Sequence, residues 1–307
     1  MKKKSAKRFR KLFLFLLLAG VAAGGWRVFE KPEAKMPAAN SSFTVDSNDS
    51  DGDYEIIRMR KGDIHSGNLI LINSQYAYQS DTNNLVSVFS RKNTAYKVKD
   101  KTVLLNEKVI AAFNDMMAEF NQVTSDNAVN VISGYRSESE QQVLLDDEIA
   151  RKGQAAAAMW VAGPGFSEHH SGLALDLGLY FDNGTSASFD GKGKYAWIHE
   201  NCWKYGFILR YPENKTQITN IFYEPWHLRY VGIPHAFLMK EKGLCFEEYI
   251  ELLRKSQLEK KHLEVSVNGV GYEIYFTTKT DVSIPENSLY EISGNNVDGF
   301  IVTIIAN

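Results

Sequence analysis

The sequence predicts a mixed α+β fold that ends in a small β appendage. Apolar residues recur at helical spacing between Glu107 and Val123, whereas leucines alternate with small or polar residues after Gly172. Beyond about Lys261 the pattern changes, because alternating apolar residues surround turn signals such as the Asn-Gly pair at Asn268. Helices and short strands therefore alternate irregularly first, and strands alone follow.

The composition is that of a globular protein with an ordinary charge balance. The 307 residues are 44% hydrophobic and carry a formal net charge of -2, without the basic excess that tracks a phosphate backbone. We therefore expect no nucleic-acid partner. Two cysteines, Cys202 and Cys245, are too few for a disulfide scaffold, and buried thiols are expected although pairing stays open.

The N-terminus predicts export with retention at the membrane. Lysines and arginines dominate MKKKSAKRFRKL, and an uncharged run from Leu12 to Trp26 follows. Residues 1–29 are interpreted as a cytoplasmic basic stretch and signal anchor, which would leave the rest of the chain extracytoplasmic on a single span. Cleavage among the small residues from Ala22 to Gly25 is the alternative, and it would give a secreted protein.

The composition also divides the exported part of the chain into a tether, a main domain and a C-terminal appendage. Residues 30–65, rich in Pro, Ser, Asn and Asp, are predicted to be a flexible tether. The main domain spans 66–260, begins with a buried strand at Leu69–Ile72, and ends in one amphipathic helix over 240–261. Residues 261–307 form the β appendage. We expect a monomer.

One arginine lies at a predicted junction between a strand and a helix, where its side chain is a candidate for the active site. Val129–Ser133 has strand character, and Ser137 with Glu140 forms a capping box that opens a helix ending at Gly153. Arg136 lies between the two elements. A further helix is predicted over about 197–205.

Two segments concentrate titratable residues. In the first, His169 precedes a predicted strand in which Asp176 faces away from the leucines at 173, 175, 177 and 179. In the second, Glu224 and His227 lie among aromatic residues. A straight strand would point this pair to opposite faces, so Pro225 must break the strand or the pair must sit on a turn.

The residue types in these segments suit a catalytic metal. Two imidazoles and one carboxylate, from His169, Asp176 and His227, are three zinc ligands that leave a fourth position open for water. Glu224 is then the expected catalytic base, and Arg136 can stabilise a developing oxyanion.

Three motifs together resemble the VanY-type zinc D-alanyl-D-alanine carboxypeptidases: SEHHSGLALD from Ser167, SGYRS from Ser133 and EPWHLRYVG from Glu224. The resemblance extends through WKYGFILRYP and covers the chain from Gly67 onward. It implies a compact hedgehog-like fold, a small antiparallel sheet flanked by helices. It also implies one zinc ion per chain and a peptidoglycan stem peptide ending in D-Ala-D-Ala as substrate, whose loss depletes the target of glycopeptide antibiotics.

The resemblance also assigns residues. It implies His169, Asp176 and His227 as zinc ligands, Glu224 as base, Arg136 as the transition-state arginine and Ser167 as a ligand of the substrate's terminal carboxylate. Gln141 and Trp226 are further candidates for substrate binding. His170 adjoins His169 but does not align with the ligand position. His65, His199, His235 and His262 lack partners at metal spacing and are expected to be surface or core residues.

Several alternatives are weighed. A serine-type carboxypeptidase is excluded, because the exported region has no S-x-x-K and no K-T-G motif. A zinc L,D-carboxypeptidase or endopeptidase on peptidoglycan would use the same site and stays open. A catalytically silent, zinc-stabilised module that binds the cell wall is also open, although it would have no use for Glu224 as a base.

Overall fold

The computed structural model describes residues 54–82, 84–258 and 262–306. The strands are β1 (Tyr54–Arg58), β2 (Leu85–Ser87), β3 (Lys97–Val98), β4 (Leu104–Asn106), β5 (Val129–Ser133), β6 (Ala174–Tyr180), β7 (Ser186–Ser188), β8 (Phe207–Leu209), β9 (His227–Tyr230), β10 (Leu263–Val267), β11 (Val270–Thr277), β12 (Asp281–Pro285), β13 (Leu289–Gly294) and β14 (Phe300–Ala306). The α-helices are α1 (Val88–Arg91), α2 (Glu107–Thr124), α3 (Glu138–Lys152), α4 (Gln154–Ala157), α5 (Ala196–Asn201), α6 (Thr216–Thr219), α7 (Ile233–Lys242) and α8 (Phe246–Leu253). Short 3-10 helices occupy Lys61–His65, Glu168–Ser171, Gly193–Tyr195, Cys202–Tyr205 and Glu213–Lys215. This mixture of helices with small antiparallel sheets confirms the predicted fold class.

The central sheet brings the predicted metal ligands together. Its strand order is β3-β5-β6-β9-β8, and β7 pairs with β6 beyond this path. Strands β5 and β9 both run antiparallel to β6. Asp176 on β6 lies opposite His227 on β9 and opposite Ser133 on β5. Residues that are far apart in the sequence are therefore neighbours across the middle of the sheet.

The main core lies between this sheet and α2. The four leucines of the alternating run, at 173, 175, 177 and 179, are buried together with the apolar stripe of α2. The alternation and the helical spacing thus have the predicted outcome, because burying both apolar faces against each other removes them from water. Helix α2 is capped by Asn106, whose side chain accepts a hydrogen bond from the amide of Lys108.

The C-terminal strands pack against the main domain. Strands β10, β11, β14 and β13 form an antiparallel four-stranded sheet in that order. Ile274, Phe276 and Ile301 from this sheet share a buried cluster with residues of α7 and α8. The C-terminal sheet is therefore docked on the main domain through this apolar cluster.

Three predicted segments need correction. The buried stretch Leu69–Ile72 is not a strand, because side chains bond to its carbonyl groups: Arg229 donates to Ile70 and Asn296 donates to Leu71. The single helix predicted over 240–261 is broken at Gly243, whose φ of 62° ends α7 in the left-handed conformation. The end of the predicted tether is folded, because β1 pairs with β12.

The remaining N-terminal predictions fall outside the described residues. The signal anchor over 1–29 and the tether up to residue 53 belong to this part. Among the described helices, none combines the length and the apolar composition that crossing a membrane requires. Cys202 and Cys245 are both free and buried, as expected for isolated thiols.

Candidate metal centre and active site

Three side chains converge at the centre of the sheet. His169, Asp176 and His227 each offer one ligand atom, and these atoms all lie within 4.8 Å of one another. His169 comes from the 3-10 helix that precedes β6, Asp176 from β6 itself, and His227 from the first position of β9. The strand pairing of Asp176 with His227 sets this geometry.

Hydrogen bonds determine which imidazole nitrogens face the cluster. His169 donates from Nδ1 to the carbonyl of Gly134 at 2.6 Å, which leaves Nε2 directed at Asp176 Oδ2 at 3.2 Å. His227 presents the other nitrogen, since its Nδ1 lies 3.0 Å from Asp176 Oδ1. Two imidazole nitrogens and a carboxylate thus point at one another, and this donor set fits zinc.

Electrostatics within the protein favour a cation among these atoms. Burial raises the pKa of Asp176, but the charges and hydrogen bonds of His169 and His227 outweigh it and hold that pKa well below its usual range. Burial lowers the pKa of His227, but hydrogen bonds to Asp176 and Glu168 outweigh it and raise the pKa to about 9. The cluster therefore attracts positive charge, which a divalent cation would supply in place of a proton.

Glu224 lies next to the cluster without belonging to it. The amide of His227 donates to the carbonyl of Glu224 at 3.1 Å, so Pro225 and Trp226 form a turn just before β9. A turn was one of the two predicted ways for Glu224 and His227 to lie on the same side of the sheet. Glu224 Oε2 lies 3.8 Å from His227 Nδ1. Burial, with the nearby charges of Asp176 and Glu168, raises the pKa of Glu224 to about 8, although His227 and Arg136 oppose the shift.

Arg136 projects into the site from the junction between β5 and α3. Its Nη2 lies 3.6 Å from Asp176 Oδ2 and donates to Ser133 Oγ at 2.9 Å. Its Nη1 donates to Gln141 Oε1 at 2.8 Å, and the Gln141 amide in turn donates to the carbonyl of Ala162 at 2.7 Å. Both ends of the Gln141 side chain are engaged within the protein. This favours a role in positioning Arg136 over the predicted contact with substrate.

The other predicted substrate residues line the same cavity. Ser167 Oγ accepts a hydrogen bond from the amide of His169 at 3.4 Å, which caps the 3-10 helix. Trp226 stacks on Trp160 with ring centroids 6.4 Å apart. The cavity has a volume of about 220 Å³, and its lining includes every site residue predicted from the sequence: Arg136, Gln141, Ser167, His169, Asp176, Glu224, Trp226 and His227.

One buried carboxylate at the site was not predicted. Glu168 is fully buried, and its Oε1 accepts hydrogen bonds from Arg210 and Arg229 at 2.8 Å each. Its Oε2 lies 3.4 Å from His227 Nε2. One signal was available in the sequence: Arg229 follows His227 by two residues, and alternate residues of a strand share a face.

The other histidines have partners of their own. His170 donates from Nδ1 to the carbonyl of Arg136 and accepts at Nε2 from the amide of Gly165, so it supports the loop around the site. Four more are held elsewhere: His65 by Asn296, His199 by the carbonyl of Pro225, His235 by Tyr249 and Thr303, and His262 by Glu273. His169, and not His170, lies in the cluster with Asp176 and His227.

Comparison with known proteins relates this site to cell-wall peptidases. Residues 102–233 match the family described as VanY, D-alanyl-D-alanine carboxypeptidase. A D-alanyl-D-alanine carboxypeptidase of Enterococcus faecium is 38% identical over 308 residues, which cover 96% of this chain and 95% of that protein.

Two solved peptidase structures are also similar to this chain. The vancomycin resistance D,D-dipeptidase VanXYg, in complex with a D-Ala-D-Ala phosphinate analog, aligns with a TM-score of 0.74 at 33% identity, over 83% of this chain and 100% of that one. The LD-carboxypeptidase LdcB aligns with a TM-score of 0.51 at 34% identity, over 59% of this chain and 84% of its own. The near full-length similarity to the enterococcal enzyme establishes the family. This chain belongs to the VanY family of D-alanyl-D-alanine carboxypeptidases.

Proposed function

We propose that the protein is a zinc-dependent D,D-carboxypeptidase that removes the terminal D-alanine from peptidoglycan stem peptides ending in D-Ala-D-Ala. The observation that carries this proposal is the convergence of His169, Asp176 and His227, with the carboxylate of Glu224 beside them and outside the ligand set. A structural zinc site would have four protein ligands and no use for an adjacent base.

The proposed metal is one zinc ion held by Nε2 of His169, the carboxylate of Asp176 and Nδ1 of His227. When bound, zinc would acidify a water molecule and polarise the scissile carbonyl. Glu224 would accept the proton of the attacking water at Oε2 in its ionised form, which a divalent cation at the cluster would favour by lowering the raised pKa of this carboxyl. It then passes this proton to the nitrogen of the departing D-alanine as the peptide C–N bond breaks.

Two further residues act on the substrate in this proposal. The guanidinium of Arg136 stabilises the negative charge that develops on the carbonyl oxygen, since it enters the cavity on the side of Asp176. The hydroxyl of Ser167 donates to the terminal carboxylate of the substrate. Trp226 contributes apolar surface to the pocket wall, and Gln141 holds Arg136 in place.

The substrate assignment rests on the relatives. The Enterococcus faecium protein is named a D-alanyl-D-alanine carboxypeptidase, and VanXYg was solved with a D-Ala-D-Ala phosphinate analog. Removal of D-Ala-D-Ala termini would deplete the target of glycopeptide antibiotics. The likeness to LdcB keeps an L,D-carboxypeptidase as the second candidate.

The cell-surface location is part of the proposal. The basic stretch and the uncharged run within residues 1–29 support a single-pass anchor with the catalytic domain outside the cytoplasm, where peptidoglycan stems occur. Cleavage of this segment would instead release the enzyme. Western blotting of membrane and medium fractions of expressing cells distinguishes the two.

The substrate test uses the full-length chain with zinc and with zinc removed by a chelator. Three peptides are compared: a stem pentapeptide ending in D-Ala-D-Ala, a stem tetrapeptide ending in an L,D-linked D-Ala, and the free dipeptide D-Ala-D-Ala. We expect zinc-dependent release of D-alanine mainly from the pentapeptide. Preferential cleavage of the tetrapeptide would support the L,D-carboxypeptidase instead, and activity that survives removal of zinc would contradict the proposal.

A further inference from the structure

A buried charge network lies directly behind the proposed metal site. The side chains of Glu168, Arg210 and Arg229 have 0% exposure, and Glu247 is nearly buried. Burial of so many charges is costly unless each is paired with good geometry. The geometry of the pairing therefore indicates what the network does.

The two oxygens of Glu168 have different partners. Oε1 accepts from Arg210 Nε and from Arg229 Nη1, both at 2.8 Å. Oε2 makes no such contact with the arginines and lies 3.4 Å from His227 Nε2. The arginines thus hold one oxygen, and the other is directed at the edge of the ligand ring that faces away from the metal site.

Both arginines also donate hydrogen bonds to groups other than Glu168. Arg210 donates to both oxygens of Glu247 on α8, at 3.0 and 2.6 Å. Arg229 donates to the carbonyls of Asn68 and Ile70, at 3.0 and 2.9 Å. Since Glu168 Oε1 also accepts from both guanidinium groups at once, its carboxylate has little freedom to rotate.

His227 needs a hydrogen-bond acceptor at Nε2 if its Nδ1 is to bind a metal, and Glu168 supplies one. Its Nδ1 faces Asp176 and can bind a metal only as an unprotonated nitrogen. The proton of the neutral ring must therefore sit on Nε2, and a carboxylate acceptor at that position favours this tautomer.

We propose that Glu168 is a positioning residue that fixes the tautomer and ring orientation of His227 and so presents Nδ1 to the metal. This inference rests on the proposed zinc site, and it assigns the carboxylate of Glu168, which faces His227, to metal affinity while Glu247 contributes to stability alone. His169 has no equivalent side chain, because the backbone carbonyl of Gly134 performs the same task for its ring.

The test compares variants of the full-length chain. Glu168→Gln removes the charged acceptor at His227 and keeps the size of the side chain. Glu168→Asp keeps the charge between the arginines but withdraws the oxygen from His227 by one methylene. Glu247→Gln is the matched control, because it removes a carboxylate from the same Arg210, while the contacts of Glu247 are with Arg210 and Asn73.

Zinc affinity is measured by competition with a chromophoric chelator, and the cobalt-substituted proteins are compared by visible absorption. We expect Glu168→Gln and Glu168→Asp to bind zinc about tenfold to a hundredfold more weakly than wild type and to shift the cobalt spectrum. Glu247→Gln should keep wild-type affinity and spectrum even where urea unfolding shows lower stability. If Glu168→Gln does not fold, Glu168→Asp decides the question.

The outcomes separate this inference from the proposed function. Wild type that binds no zinc would overturn both. Wild type that binds one zinc ion, together with Glu168 variants of unchanged affinity and spectrum, would overturn the positioning role alone. A loss of zinc affinity in Glu247→Gln equal to that in Glu168→Gln would also overturn it, because general weakening of the network would then explain the effect.

Discussion

The two histidines of the proposed metal site differ in what holds the ring nitrogen that faces away from that site. His169 is held by the backbone carbonyl of Gly134, whereas His227 faces the carboxylate of Glu168. The carboxylate can be removed by a substitution that keeps the size of the side chain, such as Glu168→Gln, whereas any side chain added at Gly134 would clash with the carbonyl of Leu104. The support of His227 can therefore be tested by a conservative substitution, and that of His169 cannot.

Arg136 offers a prediction at the residue scale. Its two terminal nitrogens are separately engaged, one by Gln141 and the other by Ser133 on the side of Asp176. Arg136→Lys keeps the charge, but its single nitrogen cannot replace the two separately bonded nitrogens of the guanidinium group. We expect kcat for D-alanine release to fall about a hundredfold or more with little change in KM, because the charge on the oxygen develops only in the transition state.

Arg151→Lys is the matched control for this measurement. Arg151 lies near the end of α3, the helix that follows Arg136, pairs with Glu148 and is 70% exposed, so its substitution should leave both kinetic constants near wild type. Zinc content must also be measured, since Arg136 adjoins Asp176 of the proposed metal site. A raised KM with unchanged kcat would instead assign Arg136 to ground-state binding.

At the scale of the elements, an irregularity in β5 shapes one side of the site. The pairing of β5 with β6 shifts between Val131 and Ser133, as in a β-bulge, and the chain then passes through Gly134. A Cβ at Gly134 would lie 2.2 Å from the carbonyl oxygen of Leu104, so a larger residue cannot fit there. The bulge and the glycine together bring the Gly134 carbonyl to His169.

A pH prediction follows from the packing of α7. His235 on this helix is buried between Tyr249 of α8 and Thr303 of β14, with its two nitrogens 2.8 and 3.0 Å from their hydroxyl groups. Burial lowers its pKa to about 3 from the ordinary 6.5. As the pH falls below 6.5, His235 binds a proton in the unfolded chain but stays unprotonated in the folded protein. Stability is therefore lost on acidification and is unaffected by this group at higher pH.

The measurement is urea unfolding of zinc-free wild type and His235→Gln. The wild type should lose about 2 kcal/mol more than the variant between about pH 7 and about pH 5, because the variant lacks the titrating group. The variant can be less stable at every pH without affecting this comparison. Equal losses in the two proteins would show that His235 does not control the acid sensitivity.

The sequence predicted elements well where local patterns decide them. The alternation after Gly172 and the capping box at Ser137 both have the predicted structure, because burial of one face and satisfaction of free amides are local requirements. Leu69–Ile72 was correctly predicted to be buried and wrongly predicted to be a strand. Its bonding partners, Arg229 and Asn296, come from distant parts of the chain.

The same distinction applies to the candidate site. His169, Asp176, His227 and Glu224 form recognisable motifs, so the sequence alone could place them together. Glu168 was missed because its partners Arg210 and Arg229 are 42 and 61 residues away, and the spacing of His227 and Arg229 on one strand indicates an arginine beside the site but not the carboxylate that it binds. Long-range ion pairs become visible only when the strands are assembled.

On the scale of the whole molecule, the metal site depends on contacts with distant segments. Arg229 reaches from β9 to the carbonyls of Asn68 and Ile70, and Leu71 beside them donates to the carbonyl of Asn295 in the C-terminal segment. The C-terminal sheet also shares its apolar cluster with α7 and α8. The C-terminal segment therefore packs behind the elements that support the site.

The most direct test of the account compares wild type with Glu224→Gln, measuring bound zinc and D-alanine release from a pentapeptide ending in D-Ala-D-Ala. Glu224 is beside the ligand cluster and not part of it, so the variant should retain one zinc ion per chain. Its kcat should fall by at least about a hundredfold, because the base is lost. A variant that keeps both zinc and wild-type turnover would contradict the assignment of Glu224 as the base of a zinc carboxypeptidase.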